Sequence, residues 1–114
     1  MTRALSLFLL VAATPVLADG HADAAAIRAA IIGNTVEGGM SDGAAYAEFY
    51  AADGAIKGKD YAGTWTIEGD RMCFAYGEAP TCYGVRIAGD KVTWMSDTAE
   101  AGTGTIRAGN PNGF

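Results

Sequence analysis

Two hexapeptides twenty residues apart restrict this chain more than any other feature: Ile67-Glu68-Gly69-Asp70-Arg71-Met72 and Ile87-Ala88-Gly89-Asp90-Lys91-Val92. Each reads apolar, spacer, Gly-Asp, base, apolar. Gly-Asp between short alternating runs is tight-hairpin chemistry, because such turns need a backbone twist that glycine supplies without steric penalty. Successive hairpins of this kind predict a mainly β, antiparallel up-and-down meander. Strands at such regular spacing close into a sandwich or a small or partly open barrel.

The rest of the chain fits that frame. His21 to Ile32 is Ala-rich, with Ile27 and Ile31 spaced i, i+4, which predicts one N-terminal helix with Asp19 or Asp23 at its start and Gly33-Asn34 as its stop. Strands are then expected at Thr35–Glu37, Ala45–Ala51, Ala55–Lys59, Ala62–Glu68, Met72–Tyr76, Cys82–Ala88, Lys91–Ser96 and Gly102–Arg107. Gly38-Gly39, Ser41-Asp42-Gly43, Asp53-Gly54 and Gly77 to Pro80 read as turns, Asp97 to Ala101 as a polar loop, and the tail from Ala108 as irregular.

Two-residue alternation assigns faces. Trp65 and Ile67, then Met72, Phe74 and Tyr76, then Tyr83, Val85 and Ile87, then Val92 and Trp94 fall on one side of their strands and are expected to line the core. The intervening positions are mostly polar and include Cys73. With Tyr76 to Ala79 as the hairpin loop, Cys73 lies opposite Cys82, and the pair is expected to form a disulfide. Two thiolates nine residues apart, with the one histidine at His21, do not make a four-ligand metal site, and the spacing is not that of a redox-active C-x-x-C.

Export explains the cysteines. Arg3 precedes the uncharged run Ala4–Ala13, Pro15 ends it, and Val16-Leu17-Ala18 offers small or compact residues before a cleavage point. Residues 1–18 therefore read as a signal peptide, with 19–114 as a single β-rich domain in the periplasm or outside the cell. The apolar run is about half of the ~20 residues that cross a bilayer, so no membrane span is expected after cleavage. The formal net charge of −5 becomes more negative when Arg3 leaves. No Lys/Arg cluster offsets it, which argues against a nucleic-acid partner or adhesion to anionic lipid.

The stretch Gly33 to Gly38, Asp53-Gly54, Gly63-x-Trp65-x-Ile67-x-Gly69-Asp70 and the spaced Cys73 and Cys82 resembles a group of small exported proteobacterial proteins of uncharacterised function. The Gly-x-Trp entry into a meander also looks like lipocalin-type and related small barrels. The resemblance implies a short barrel closed at one end by the N-terminal helix, and it implies no catalytic residue.

The chemistry expected of this domain is binding. His21 near the N-terminus reads as a solvated helix-entry residue rather than a catalytic imidazole. Glu48, Asp53, Asp60, Glu68 and Asp70 are the candidate carboxylates, with Asp53 and Asp70 at turn positions. Gly102-Thr103-Gly104 has no following helix and is a poor phosphate loop. No cofactor is implied. Aromatic residues remain, and they either fill the core or line a small pocket. Tyr46, Tyr50, Trp65, Phe74, Tyr83 and Trp94 are the candidate ligand-binding residues for a small apolar or amphipathic molecule. The alternative is a module that binds or inhibits an envelope protein through Tyr76–Pro80 and Asp97–Gly102.

Overall fold

The computed structural model describes residues 20–114. The leader expected over residues 1–18 lies outside them. One short helix, α1 (Ala24–Ile31), precedes eight strands: β1 (Thr35–Met40), β2 (Ala45–Tyr50), β3 (Ala55–Lys57), β4 (Ala62–Glu68), β5 (Arg71–Ala75), β6 (Thr81–Ala88), β7 (Lys91–Met95) and β8 (Glu100–Arg107). Every neighbour in sequence is a neighbour in space, all pairs are antiparallel, and β1 pairs with β8. The meander is thus a closed barrel, which removes the free sheet edges that an open meander would expose.

The Gly-Asp repeat does what its chemistry requires. Gly69 and Gly89 take φ of 59° and 60° between β4 and β5 and between β6 and β7. The registers Glu68↔Arg71 and Ala88↔Lys91 close both as two-residue turns. Helix α1 starts when the Asp23 carboxylate accepts from the Ala26 N–H at 2.8 Å. Asp70, in the β4–β5 turn, accepts from the Ala24 N–H at 2.9 Å, so this turn ties the helix to the barrel. The helix stops at Ile31, and Gly33 just beyond it takes a φ of 83° and donates its N–H to the carbonyl of Tyr50 at the end of β2. The helix is shorter than the expected 21–32. His21 and Ala22 instead extend along β6, where the Ala22 N–H donates to the Val85 carbonyl.

Alternation holds along the strands. Ile27 and Ile31 of the helix are fully buried, together with Val36, Ile56, Met72, Val85 and Val92. The helix therefore closes the end of the barrel that carries the Ala51–Gly54, Gly69-Asp70 and Gly89-Asp90 turns. None of the described helices is long and apolar enough to cross a membrane.

Three further expectations change. Gly38-Gly39 is not a turn but the middle of β1, which runs on to Met40. A Cβ at Gly38 would overlap the Thr103 carbonyl oxygen of β8, so glycine is there to let two strands approach closely. Strand β8 begins at Glu100, so Glu100 to Gly102 belong to the sheet and not to an open loop. Tyr76 does not fill the core; it shares the inward face of β5 but stands at the rim, 48% exposed. The C-terminal tail from Ala108 is irregular, as expected, and it is docked: Thr35 Oγ1 donates to the Gly109 carbonyl, and Asn112 of the tail joins Arg107 of β8 in donating to Glu37. The Asn112 and Arg107 hydrogen bonds hold the Glu37 carboxyl below its ordinary range.

Cys73 and Cys82 are directly opposed and form the expected disulfide, with Cα atoms 3.9 Å apart. Cys73 alternates with Met72 and Phe74 and so faces outward, yet it is buried. Glu68 lies against it, with Oε2 at 3.2 Å from the Cys73 sulfur. Neither bonded sulfur carries a proton or a thiolate charge. The contact is therefore van der Waals in kind, and the Glu68–Cys73–Cys82 group offers no thiolate to a metal ion.

Candidate functional site: an aromatic pocket with a buried carboxylate

The end of the barrel opposite the helix carries the longer connections, Ser41–Ala44, Gly58–Tyr61, Tyr76–Pro80 and Ser96–Ala99. Between them opens a pocket of about 280 Å³. Five of the six aromatic residues expected at a ligand site line it: Tyr46, Tyr50, Phe74, Tyr83 and Trp94. Phe74 forms its floor. Its ring meets Tyr50 and Trp94 edge-on, at centroid distances of 5.9 and 5.2 Å, and Tyr83 at 6.0 Å. Such contacts fix the rings against one another, and Tyr50, Phe74 and Trp94 also pack into the buried core.

Trp65 is the exception. Its indole N–H donates to the Ala51 carbonyl at the helix end, and the Arg28 guanidinium lies 5.9 Å from its ring centroid. It packs beneath the pocket and not on its wall. Alternation gives the face of a side chain but not the direction in which it reaches: Trp65 pairs with Phe74 in register, yet its indole turns to the helix end.

The polar centre of the pocket is Glu48. Strand β2 places Tyr46, Glu48 and Tyr50 on one inward face, and Glu48 is only 5% exposed. Three phenolic hydroxyls donate to its carboxylate: Tyr50 to Oε1 at 2.9 Å, Tyr61 to Oε2 at 2.7 Å, and Tyr76 to both oxygens at 2.8 Å. Tyr61 comes from the β3–β4 loop and Tyr76 from the start of the β5–β6 loop, so a single carboxylate ties two loops to β2. The two rim rings also meet edge-on at 6.0 Å. Glycine makes room for this arrangement: a Cβ at Gly63 would lie 2.7 Å from the Tyr76 ring.

Burial is the first cause of raised pKa values at Tyr50, Tyr61 and Tyr76, and the neighbouring Glu48 charge and hydrogen bond add to it. The three hydroxyls therefore keep their protons well above neutral pH. Burial raises Tyr46 too; its hydroxyl donates to the Thr103 carbonyl and accepts from the Trp94 indole N–H at 2.8 Å. Among the described residues, no buried side-chain nitrogen or oxygen lacks a partner.

The other candidate carboxylates are scattered. Asp53 and Asp70 serve turns by accepting from backbone N–H groups, Glu68 sits at the disulfide, and Asp60 is exposed in the β3–β4 loop. His21 packs against Gly84 on the outside of the barrel wall, away from the pocket. Glu48 was visible in the sequence as a carboxylate, but its place in the pocket was not. The signal was its spacing, Tyr46-x-Glu48-x-Tyr50, which puts a charge between two tyrosines on one face of a strand. Met40, Glu78, Ala79 and Thr81 complete the lining. Comparison of the chain with protein-family models, with curated proteins and with solved structures returns no match.

Proposed function

We propose that this protein is a non-enzymatic binding domain of the periplasm or extracellular space, holding a small apolar or amphipathic molecule in the open end of its barrel. The observation that carries this is the pocket itself: about 280 Å³, walled by aromatic rings and furnished with one buried carboxylate. Ligand sites combine a mostly apolar wall with few polar groups in this way, and this volume is at their small end. The Cys73–Cys82 disulfide accords with an oxidising compartment. The pocket lining brings no imidazole or thiol to Glu48, which supports binding over covalent catalysis.

The alternative, an envelope protein-interaction or inhibitor module, would use the same rim, where Tyr61 and Tyr76 are the exposed large aromatics. Their hydroxyls are turned inward to Glu48, so these side chains serve the pocket before they serve a partner. Native mass spectrometry of protein purified from its own compartment tests the choice. A co-purified small mass supports the pocket; an empty protein that captures an envelope protein overturns it.

A further inference from the structure

We infer that the pocket takes a small organic cation, an alkyl- or arylalkylammonium, with its charged head on Glu48. This rests on the pocket being a ligand site. Two carboxylates, Glu48 and Glu78, line it, and no Lys, Arg or His does. Glu48 is buried, and neither ion pair among the described residues involves it; those pairs are Arg71–Asp97 and Arg107–Glu37. Among the described residues, no cationic side chain offsets the Glu48 carboxylate in this weakly screened site, so that role is open to a ligand.

Hydrogen-bond capacity points the same way. A carboxylate offers about four acceptor positions, and three hydroxyl protons reach this one. The Tyr76 hydroxyl is 2.8 Å from both oxygens, so its single proton is shared between them. A proton divided between two acceptors satisfies neither fully, and an N–H donor completes one of them. The Tyr83 and Trp94 rings in the lining supply the second attraction, because an aromatic quadrupole attracts a cation seated over the ring. A ligand carboxylate, such as that of a fatty acid, would meet two like charges and no donor cation.

The test compares three probes of matched size on the mature disulfide-bonded protein: benzylammonium, benzyl alcohol and phenylacetate, titrated by calorimetry and tryptophan fluorescence. Benzylammonium is expected to bind at least about tenfold more tightly than benzyl alcohol, with phenylacetate weakest. Glu48→Gln should abolish the preference for the cation, read as the ratio of benzylammonium to benzyl alcohol affinity within the variant. Equal binding of the alcohol or the carboxylate by the native protein overturns the charge assignment and leaves the pocket intact. So does a cation preference that survives in Glu48→Gln. Binding of none of the three overturns both the charge assignment and the pocket. The ranking on native protein decides the matter even where the variant fails to fold.

Discussion

At the helix end of the barrel, the interior is filled by Ile27, Ile31, Val36, Ile56, Met72 and Val85, all fully buried. At the other end it holds Tyr46, Glu48, Tyr76, Tyr83 and Trp94 around open space. The same strands run through both ends, so topology does not separate them. Side-chain chemistry and connection length do. Two-residue Gly-Asp turns and a capped helix close the first end, and aliphatic side chains fill it without needing polar partners. Longer loops frame the second, and a carboxylate with three hydroxyls holds those loops in place. One end stabilises the barrel; the other keeps a hollow in it.

The comparison breaks most readily at the helix. Ile31→Ala leaves a cavity where the helix seals the core and is expected to destabilise the domain by roughly 2–5 kcal/mol. Chemical denaturation measures this. The pocket lies beyond the Phe74 floor, so probe affinity of the folded fraction should not change. A matching loss of affinity would show that the two ends are not independent.

The disulfide comes next. Cys73 and Cys82 close a short ring at the base of the Tyr76–Pro80 loop. Replacing both with Ala should cost about 2.5–3 kcal/mol on the chain-entropy model, or a Tm fall of roughly 10–20 °C, with an unchanged β spectrum. Because this hairpin carries Tyr76, the loss should also loosen the rim and weaken probe binding. Unchanged melting would show that barrel closure alone pins the hairpin.

Much of this architecture was legible in the sequence, and the places where it was not share a cause. Short aromatic and β-branched runs between turn residues marked all eight strands, and period-two patterning gave the facing of β4 to β7, because facing is a local property of a pleated chain. It predicted Phe74, Tyr83 and Trp94 on the inside. It failed where a residue's role is set by a distant strand. Gly38-Gly39 looks like a turn until β8 lies against it. Trp65 and Phe74 pair across β4 and β5, yet Trp65 reaches toward the helix and Phe74 floors the pocket. Closure through β1 and β8 is non-local as well, and so is the convergence of Tyr50, Tyr61 and Tyr76 on one carboxylate. Glu48 was the instructive case: it read only as one candidate carboxylate among five, whereas its phase between Tyr46 and Tyr50 puts it inside.

Alkaline pH should act on one end only. Tyr46, Tyr50, Tyr61 and Tyr76 all have pKa values raised above the ordinary 10.0, and all four line the pocket or donate to Glu48. A raised pKa means that the folded state binds the proton more tightly than the unfolded state. That stabilisation is present in full below the ordinary pKa and is lost as the pH rises through the folded value. Stability should therefore hold to about pH 10 and fall above it, followed by tyrosinate absorbance and circular dichroism together. Tyrosines that ionise at their ordinary value, with no loss of structure, would contradict the Glu48 network.

The smallest effect sharpens the contrast furthest. Tyr61→Phe removes one hydroxyl from Glu48 and keeps the ring against Tyr76. Tyr61 is 46% exposed, so water can replace the lost donor. The expected destabilisation is about 0.5–1.5 kcal/mol, far below that of Ile31→Ala. Its effect on binding should have the opposite sign. With one donor gone, Glu48 has a further acceptor position for an ammonium N–H, and benzylammonium should bind more tightly while benzyl alcohol changes less. A substitution that weakens the fold slightly and strengthens cation binding is what a pocket end held together by its own ligand-binding group produces. If Tyr61→Phe weakens both in parallel, the carboxylate serves only to fasten the loops.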